Sequence, residues 1–273
     1  MCYKKPQLAP IKSLYVYLGF GINDYLGTAN DLNGCINDIN NEVKKLNNEF
    51  PQFQCLKYFD SKVTTQFFMA EVRRVLNELY LLSKQQNKRG FLYIKYSGHG
   101  TQVPSASEPN GYNEALYLHN GPLIDDNIYR LQQETPGIID VLAKFDSCFS
   151  GDIGSKNLRN AVNSVNYGYR KDRFMPLPGV PVLHKAVNHL SRTDEGQRWI
   201  ILSGCGEEQT SADAYIDGQY QGAFSWANLK AYGPGSGFER EISLTNDRLF
   251  VNHFQQVPEI SGPYEGKFMP IAL

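Results

Sequence analysis

Residues 137–151 read GIIDVLAKFDSCFSG. The run rich in Ile, Val, Leu and Phe is short and nearly continuous, as expected of a strand buried on both faces in a parallel sheet. It ends in Asp146-Ser147-Cys148, so a cysteine stands where the chain must turn. A second segment has the same form: FLYIKYSGHG, residues 91–100, is an apolar strand that runs into a glycine-flanked histidine. In an open parallel sheet the loops leaving the carboxyl ends of the strands share one edge, where ligands and chemistry gather. His99 and Cys148 are therefore expected to meet there.

Working outward, LYVYLGF (14–20) reads as a first strand. The stretch NGCINDINNEVKKLNNEF (33–50) reads as a helix, with Ile36, Ile39, Val43 and Leu46 at three- and four-residue steps and Asn33 as N-cap. QCLKYF (54–59) is a strand, and Thr64 to Leu82 an amphipathic helix with Phe68, Val72, Val75, Leu76 and Leu79 on one stripe. Beyond the SGHG loop, EALYL (114–118) is a short strand and DDNIYRLQQ (125–133) a short helix. RWIILSGC (198–205) supplies a fifth strand and GAFSWANL (222–229) a helix. SLTNDRLFVNHF (243–254) reads as a helix capped by Ser243 or Thr245, and KFMPIAL (267–273) as a final strand placed at an edge by Pro270. The β-α-β-α-β order predicts an α/β fold: a mostly parallel central sheet with helices on both faces, a three-layer sandwich. The region from Gly154 to Arg198 breaks this rhythm and is read as a long mobile loop.

Composition narrows the function classes. The 273 residues are 41% hydrophobic and 20% charged with a formal net charge of -1, an ordinary globular balance that predicts neither a nucleic-acid nor a membrane partner. Five dispersed cysteines without a CxxC pair argue against a disulfide framework or zinc knuckle and fit a reducing compartment. With no signal-like apolar segment at the amino terminus, the expected location is the cytoplasm.

The chemistry of the two strand ends follows. A thiol with a pKa of about 8.5 is mostly protonated at neutral pH, and a neighbouring imidazole makes it a useful nucleophile. His99 is the candidate base for Cys148. Gly98, Gly100 and Gly151 let backbone approach a substrate closely, and the amides of Gly100 and Cys148 are candidate oxyanion donors.

YSGHG (96–100) and DSCFSG (146–151), together with GIN (21–23), GCIND (34–38), SGC (203–205), QTSADA (209–214), GAFSWA (222–227) and QVPEISG (256–262), resemble the metacaspases. These are caspase-like cysteine peptidases. The resemblance implies a caspase-like fold over one peptidase domain: 1–153 as the part with the His99/Cys148 dyad, 154–197 as a linker, and 198–273 as the smaller part. It also implies cleavage of protein or peptide substrates after Arg or Lys, with Cys35, Asp38, Ser97 and Asp146 in the pocket and Asp213 of SADA beside them. Paired carboxylates in a cleft suit a guanidinium, which bonds them in a directed way. Lys156, Arg159, Arg170, Lys171, Arg173, Lys185 and Arg192 in the linker, and Arg198 at its end, are then candidate self-cleavage sites. The family resemblance further implies a monomer.

Two departures stand out. Phe149 replaces the histidine usual after the catalytic cysteine. Many relatives are activated by calcium; here Asp125 and Asp126 are present, but Asn110 and Asn113 replace carboxylates, which should weaken such a site even if Asp152 contributes. The expectation is that the chemistry requires no cofactor. The competing readings are an inactive caspase-fold scaffold that binds basic segments, and a protease of this fold with another primary specificity.

Overall fold

A computed structural model describes residues 8–26, 29–106, 108, 111–148, 170–181, 198–206 and 209–263. Strands β1 (Tyr15–Gly21), β2 (Phe53–Phe59), β3 (Gly90–Ser97), β7 (Ile139–Asp146), β9 (Ile200–Ser203) and β12 (Glu259–Ser261) form one six-stranded sheet in the order β12-β9-β7-β3-β1-β2. All its pairings are parallel except β12 with β9. Alternation along each strand sends neighbouring residues to opposite faces. Leu18, Phe20, Leu92, Ile94, Val141 and Ala143 enter one apolar cluster with Val72 and Val75 of α2 (Thr65–Gln86) and Leu131 of α3 (Asp125–Glu134). Tyr17, Tyr93 and Leu142 enter a second, with Ile39 and Leu46 of α1 (Cys35–Glu49). Phe224 of α4 (Ala223–Leu229) and Ile242 of α5 (Phe238–Val251) join them there. The sheet is thus covered on both faces, as its apolar strands require.

Two antiparallel three-stranded sheets stand beside it. One has the order β4-β5-β6, from β4 (His99–Pro104), β5 (Tyr112–Leu118) and β6 (Gly121–Ile124). The other is β11-β10-β8, from β8 (Arg170–Asp172), β10 (Ala212–Ile216) and β11 (Gln219–Gly222).

Several local expectations are corrected. His99 opens a strand instead of standing in a loop. The N-cap of α1 is Gly34, and Asn33 has no capping side chain; Asn23 Oδ1 instead accepts from the amides of Cys35 at 2.9 Å and Ile36 at 3.4 Å. Helix α5 begins at Phe238 after Gly237, so Ser243 and Thr245 are interior. Thr245 Oγ1 donates to Glu241 O at 2.7 Å, the bond a mid-helix threonine makes to the preceding turn. The region expected to be a long loop contains β8, followed by a fully buried arginine, Arg173. The predicted strand 267–273 lies outside the described residues, as do Phe149, Gly151, Asp152, Lys156, Arg159, Lys185 and Arg192. Among the described residues no helix is long and apolar enough to cross a membrane.

Candidate active site

The parallel register of β3 and β7 pairs Ser97 with Asp146, so both strands finish level and deliver His99 and Cys148 to one edge of the sheet. The approach is close enough to require a glycine. A Cβ at Gly100 would lie 2.0 Å from Cys148 O, a separation no side chain can occupy.

His99 is buried on this edge. Its backbone amide donates to the Tyr25 hydroxyl at 2.8 Å, and the Tyr25 ring packs on the imidazole with centroids 4.6 Å apart. Nε2 lies 2.5 Å from the carbonyl oxygen of Asn30. A carbonyl only accepts, so Nε2 carries the proton and Nδ1 keeps its lone pair. Nδ1 is buried with no hydrogen-bond partner among the described residues. Burial lowers the imidazole pKa to about 4, leaving it neutral and able to take a proton.

Cys148 is also fully buried, and its sulfur is engaged with the Ser211 peptide, donating to Ser211 O at 3.2 Å and contacting Ser211 N. Burial pushes this thiol well above its ordinary value, and Cys205 beside it adds to the shift. Cys205 Sγ in turn donates to Ser147 O at 3.5 Å.

The carboxylates of Asp38, Asp146 and Asp213 converge on the guanidinium of Arg173. Nη2 lies 2.8 Å from Asp38 and 2.9 Å from Asp213, and Nη1 lies 3.2 Å from Asp146. Nη1 also donates to Ser97 Oγ at 2.6 Å. Asp38 is itself held by Ser97 Oγ at 2.6 Å and by the amide of Gly222 at 2.9 Å. Asp146 accepts from the hydroxyls of Ser211 and Ser225 and from the Ser225 amide. Burial pushes Asp38 up to about 6, against the pull of Arg173, while Cys35 is fully buried beside Ser97, Asp38, Asp213 and Arg173. Every residue expected in a cation pocket is thus brought together, and the cation comes from the same chain.

The backbone of Arg173 is as specifically bound as its side chain. Its carbonyl oxygen accepts from Gly100 N at 2.9 Å and Cys148 N at 3.1 Å, the two amides expected as oxyanion donors. Its own amide donates to Ser211 O at 3.0 Å. Residues 170–172 pair antiparallel with 212–214, so the SADA segment forms one wall of a strand-shaped groove.

Tyr25, Asn30, Ser225 and the occupancy of the pocket by Arg173 escaped the sequence reading. Tyr25 and Asn30 lie in the β1–α1 loop and reach His99 only in three dimensions. The nearest local signal is the GIN motif, whose Asn23 fixes the start of α1.

Of the residues weighed for calcium, Asn113, Asp125 and Asp126 are described, and Asn110 and Asp152 lie outside the described residues. Asp125 and Asp126 occupy the first turn of α3, where Asp125 Oδ1 accepts from the Asp126 amide at 2.9 Å. Among the described residues no three His, Cys, Asp or Glu side chains come together to hold a metal ion.

Residues 17–155 match the family described as metacaspase, peptidase C14 domain. The chain is 27% identical over 222 residues to Metacaspase-1 of Coccidioides immitis, covering 68% of this chain and 48% of that one. It is 28% identical over 223 residues to Metacaspase-1A of Aspergillus clavatus, covering 68% and 52%. The chain therefore spans about half the length of the curated relatives it matches. Among solved structures, a Geobacter sulfurreducens protein superposes with a TM-score of 0.62 at 22% identity, over 94% of this chain and 97% of that one. Caspase-1 of Spodoptera frugiperda superposes with 0.57 at 12%, over 93% and 88%. These two likenesses carry the caspase-like fold alone. The converging strand ends, the caspase-like architecture and the family match together place this chain in the metacaspase family.

Proposed function

We propose that the protein is a cysteine endopeptidase that cuts after arginine or lysine, here holding its own Arg173–Phe174 peptide bond across the active site. One observation carries the reading: the Arg173 side chain fills the acidic pocket while its carbonyl oxygen accepts from both Gly100 N and Cys148 N. A basic residue bound at both ends in this way has the pose of a substrate before attack.

The chemistry then uses groups of this chain. Cys148 leaves its partners at Ser211 and passes its thiol proton to His99 Nδ1, and the thiolate sulfur attacks the carbonyl carbon of the basic residue. The amides of Gly100 and Cys148 hold the resulting oxyanion. When the tetrahedral species collapses, the C–N bond breaks and the leaving amine takes the proton from His99. Water, deprotonated by His99, then cleaves the thioester, giving a carboxylate and restoring the thiol. Nucleophile, base and oxyanion donors are all supplied by the protein, so these steps require no cofactor. Asn30 O acts through His99 by holding the ring in the tautomer that frees Nδ1.

The engagement of the Cys148 sulfur with Ser211 favours one second reading, a scaffold that binds basic segments without cutting them. Incubating the full wild-type chain and Cys148→Ala, with and without millimolar calcium, separates the two. Intact mass should show fragments meeting at Arg173–Phe174 in the wild type only. A fluorogenic panel with Arg, Lys, Asp or Asn before the dye should be cut after Arg and Lys. No cleavage anywhere would leave the scaffold reading, and preference for Asp would remove the pocket assignment.

A further inference from the structure

The segment that fills the pocket does not stop at Arg173. Phe174 pairs in parallel with Gly100, and Met175 N donates to Gly100 O at 2.9 Å. Thr101 Oγ1 then donates to Met175 O at 2.6 Å. Gly100 thus uses both its peptide groups on one extended segment: its N–H holds the carbonyl before the Arg173–Phe174 bond, and its C=O holds the amide after Phe174. The Met175 side chain is 5% exposed and joins the main apolar cluster, whereas the next residue, Pro176, is exposed. Thr101 is fully buried, so its hydroxyl has been withdrawn from water to make this bond.

We propose that the start of β4 is a binding subsite for the second residue after the cleaved bond, taking an apolar side chain such as Met. Thr101 anchors the main chain of that residue through its carbonyl oxygen, whatever the side chain. The proposal rests on the reading of Arg173–Phe174 as a bound substrate bond. A carboxylate placed where Met175 sits would lose its hydration without a partner, and glycine would leave the pocket empty. A segment that pairs with β10 before the bond and β4 after it gains main-chain hydrogen bonds on both sides, the usual physics of peptide recognition by strand addition. The preferred substrate is therefore an extended polypeptide that continues beyond the bond.

The test uses the full wild-type chain and Thr101→Val, which keeps the volume and removes the hydroxyl. Peptides carrying Arg-Phe-Met, Arg-Phe-Gly and Arg-Phe-Asp across the bond are compared with an Arg–dye reporter that ends at the bond. The wild type should prefer Met over Asp by roughly tenfold or more in kcat/KM, with Gly between. In Thr101→Val the ratio of Met peptide to dye reporter should fall roughly fivefold to tenfold, the scale of one buried hydrogen bond. Cleavage of the dye reporter with equal rates for Met, Gly and Asp would overturn the subsite and leave the peptidase reading intact. Failure to cut any peptide or reporter would overturn both.

Discussion

Gly222 shows how tightly single residues define the pocket. Its backbone has φ -70° and ψ 136°, open to any residue, so the need for glycine here is purely one of space. A Cβ would lie 2.1 Å from Asp146 Oδ2 and 2.6 Å from Arg173 Nη1, inside the seat of the guanidinium. Gly222→Ala is expected to lower kcat/KM for Arg peptides by roughly a hundredfold, through KM more than kcat, since overpacking at such a site costs up to about 3 kcal/mol. Steady-state kinetics beside Gly137→Ala, where the added Cβ meets nothing within 4 Å, measures it. An unchanged KM would move the cation site elsewhere. At this scale the motifs made the walls legible: GCIND, SGHG, DSC and SADA each contributed a residue that touches Arg173 or its partners. The occupant was not legible. Arg173 stands among several Lys and Arg residues, and local sequence does not distinguish a guanidinium that reaches three distant carboxylates from one that faces solvent.

Elements explain why the site residues arrive in register. Helix α1 brings Cys35 and Asp38 to the pocket on its buried face, and its first turn is fastened from outside. Asn23 caps the amides of Cys35 and Ile36, while Asp213 accepts from the amides of Asn33 at 2.8 Å and Gly34 at 3.0 Å. A carboxylate near a helix N-terminus also meets the positive end of the helix dipole. Asp213 thus joins α1, β10 and the guanidinium at one point. Asn23→Ala removes the cap and is expected to cost about 1–2 kcal/mol, read as a lower denaturation midpoint with an unchanged slope in urea. Asn33→Ala should move that midpoint little, because its side chain is not the cap; a larger loss there than at Asn23 would refute the assignment. The strands and helices themselves were legible from period and burial. The cap was not, because its side chain comes from a loop before the helix, and Asn33 offered a plausible local substitute. The strand 170–172 was hidden for a similar reason. RKD has no apolar pattern, and its extended form comes from pairing with 212–214.

Across the whole molecule, buried charge gives stability a pH dependence whose parts oppose one another. Lys95 and Lys144 lie inside central strands and pair with Glu42 and Glu241, all four side chains fully buried. Burial pushes Glu42 up, but Lys95, Lys144 and the Tyr232 and Tyr93 hydroxyls outweigh it and hold the carboxyl at about 2. A depressed acid stabilises the fold above its unfolded pKa of about 4.3, and that contribution is lost as pH falls towards 2. His99, at about 4, is likewise depressed, so its protonation in the unfolded chain costs stability as pH falls from 6.5 to 4. Asp38 has the reverse sign: at about 6 it is raised, so its contribution is full below 3.8 and lost as pH rises through 6. The two site residues shift in opposite senses over overlapping ranges, so they offset one another between pH 6 and 4. The thermal midpoint of the intact chain should therefore change less from pH 6.5 to 4.5 than below it, where Glu42 titrates. Replacing either partner unmasks the other. Asp38→Asn should lose stability steadily from pH 6.5 downward, and His99→Gln should gain it from pH 6 to 4, each compared with its own value at pH 7. Parallel profiles for the two variants would show that the buried imidazole and the pocket carboxylate do not titrate as opposing groups across the closed site.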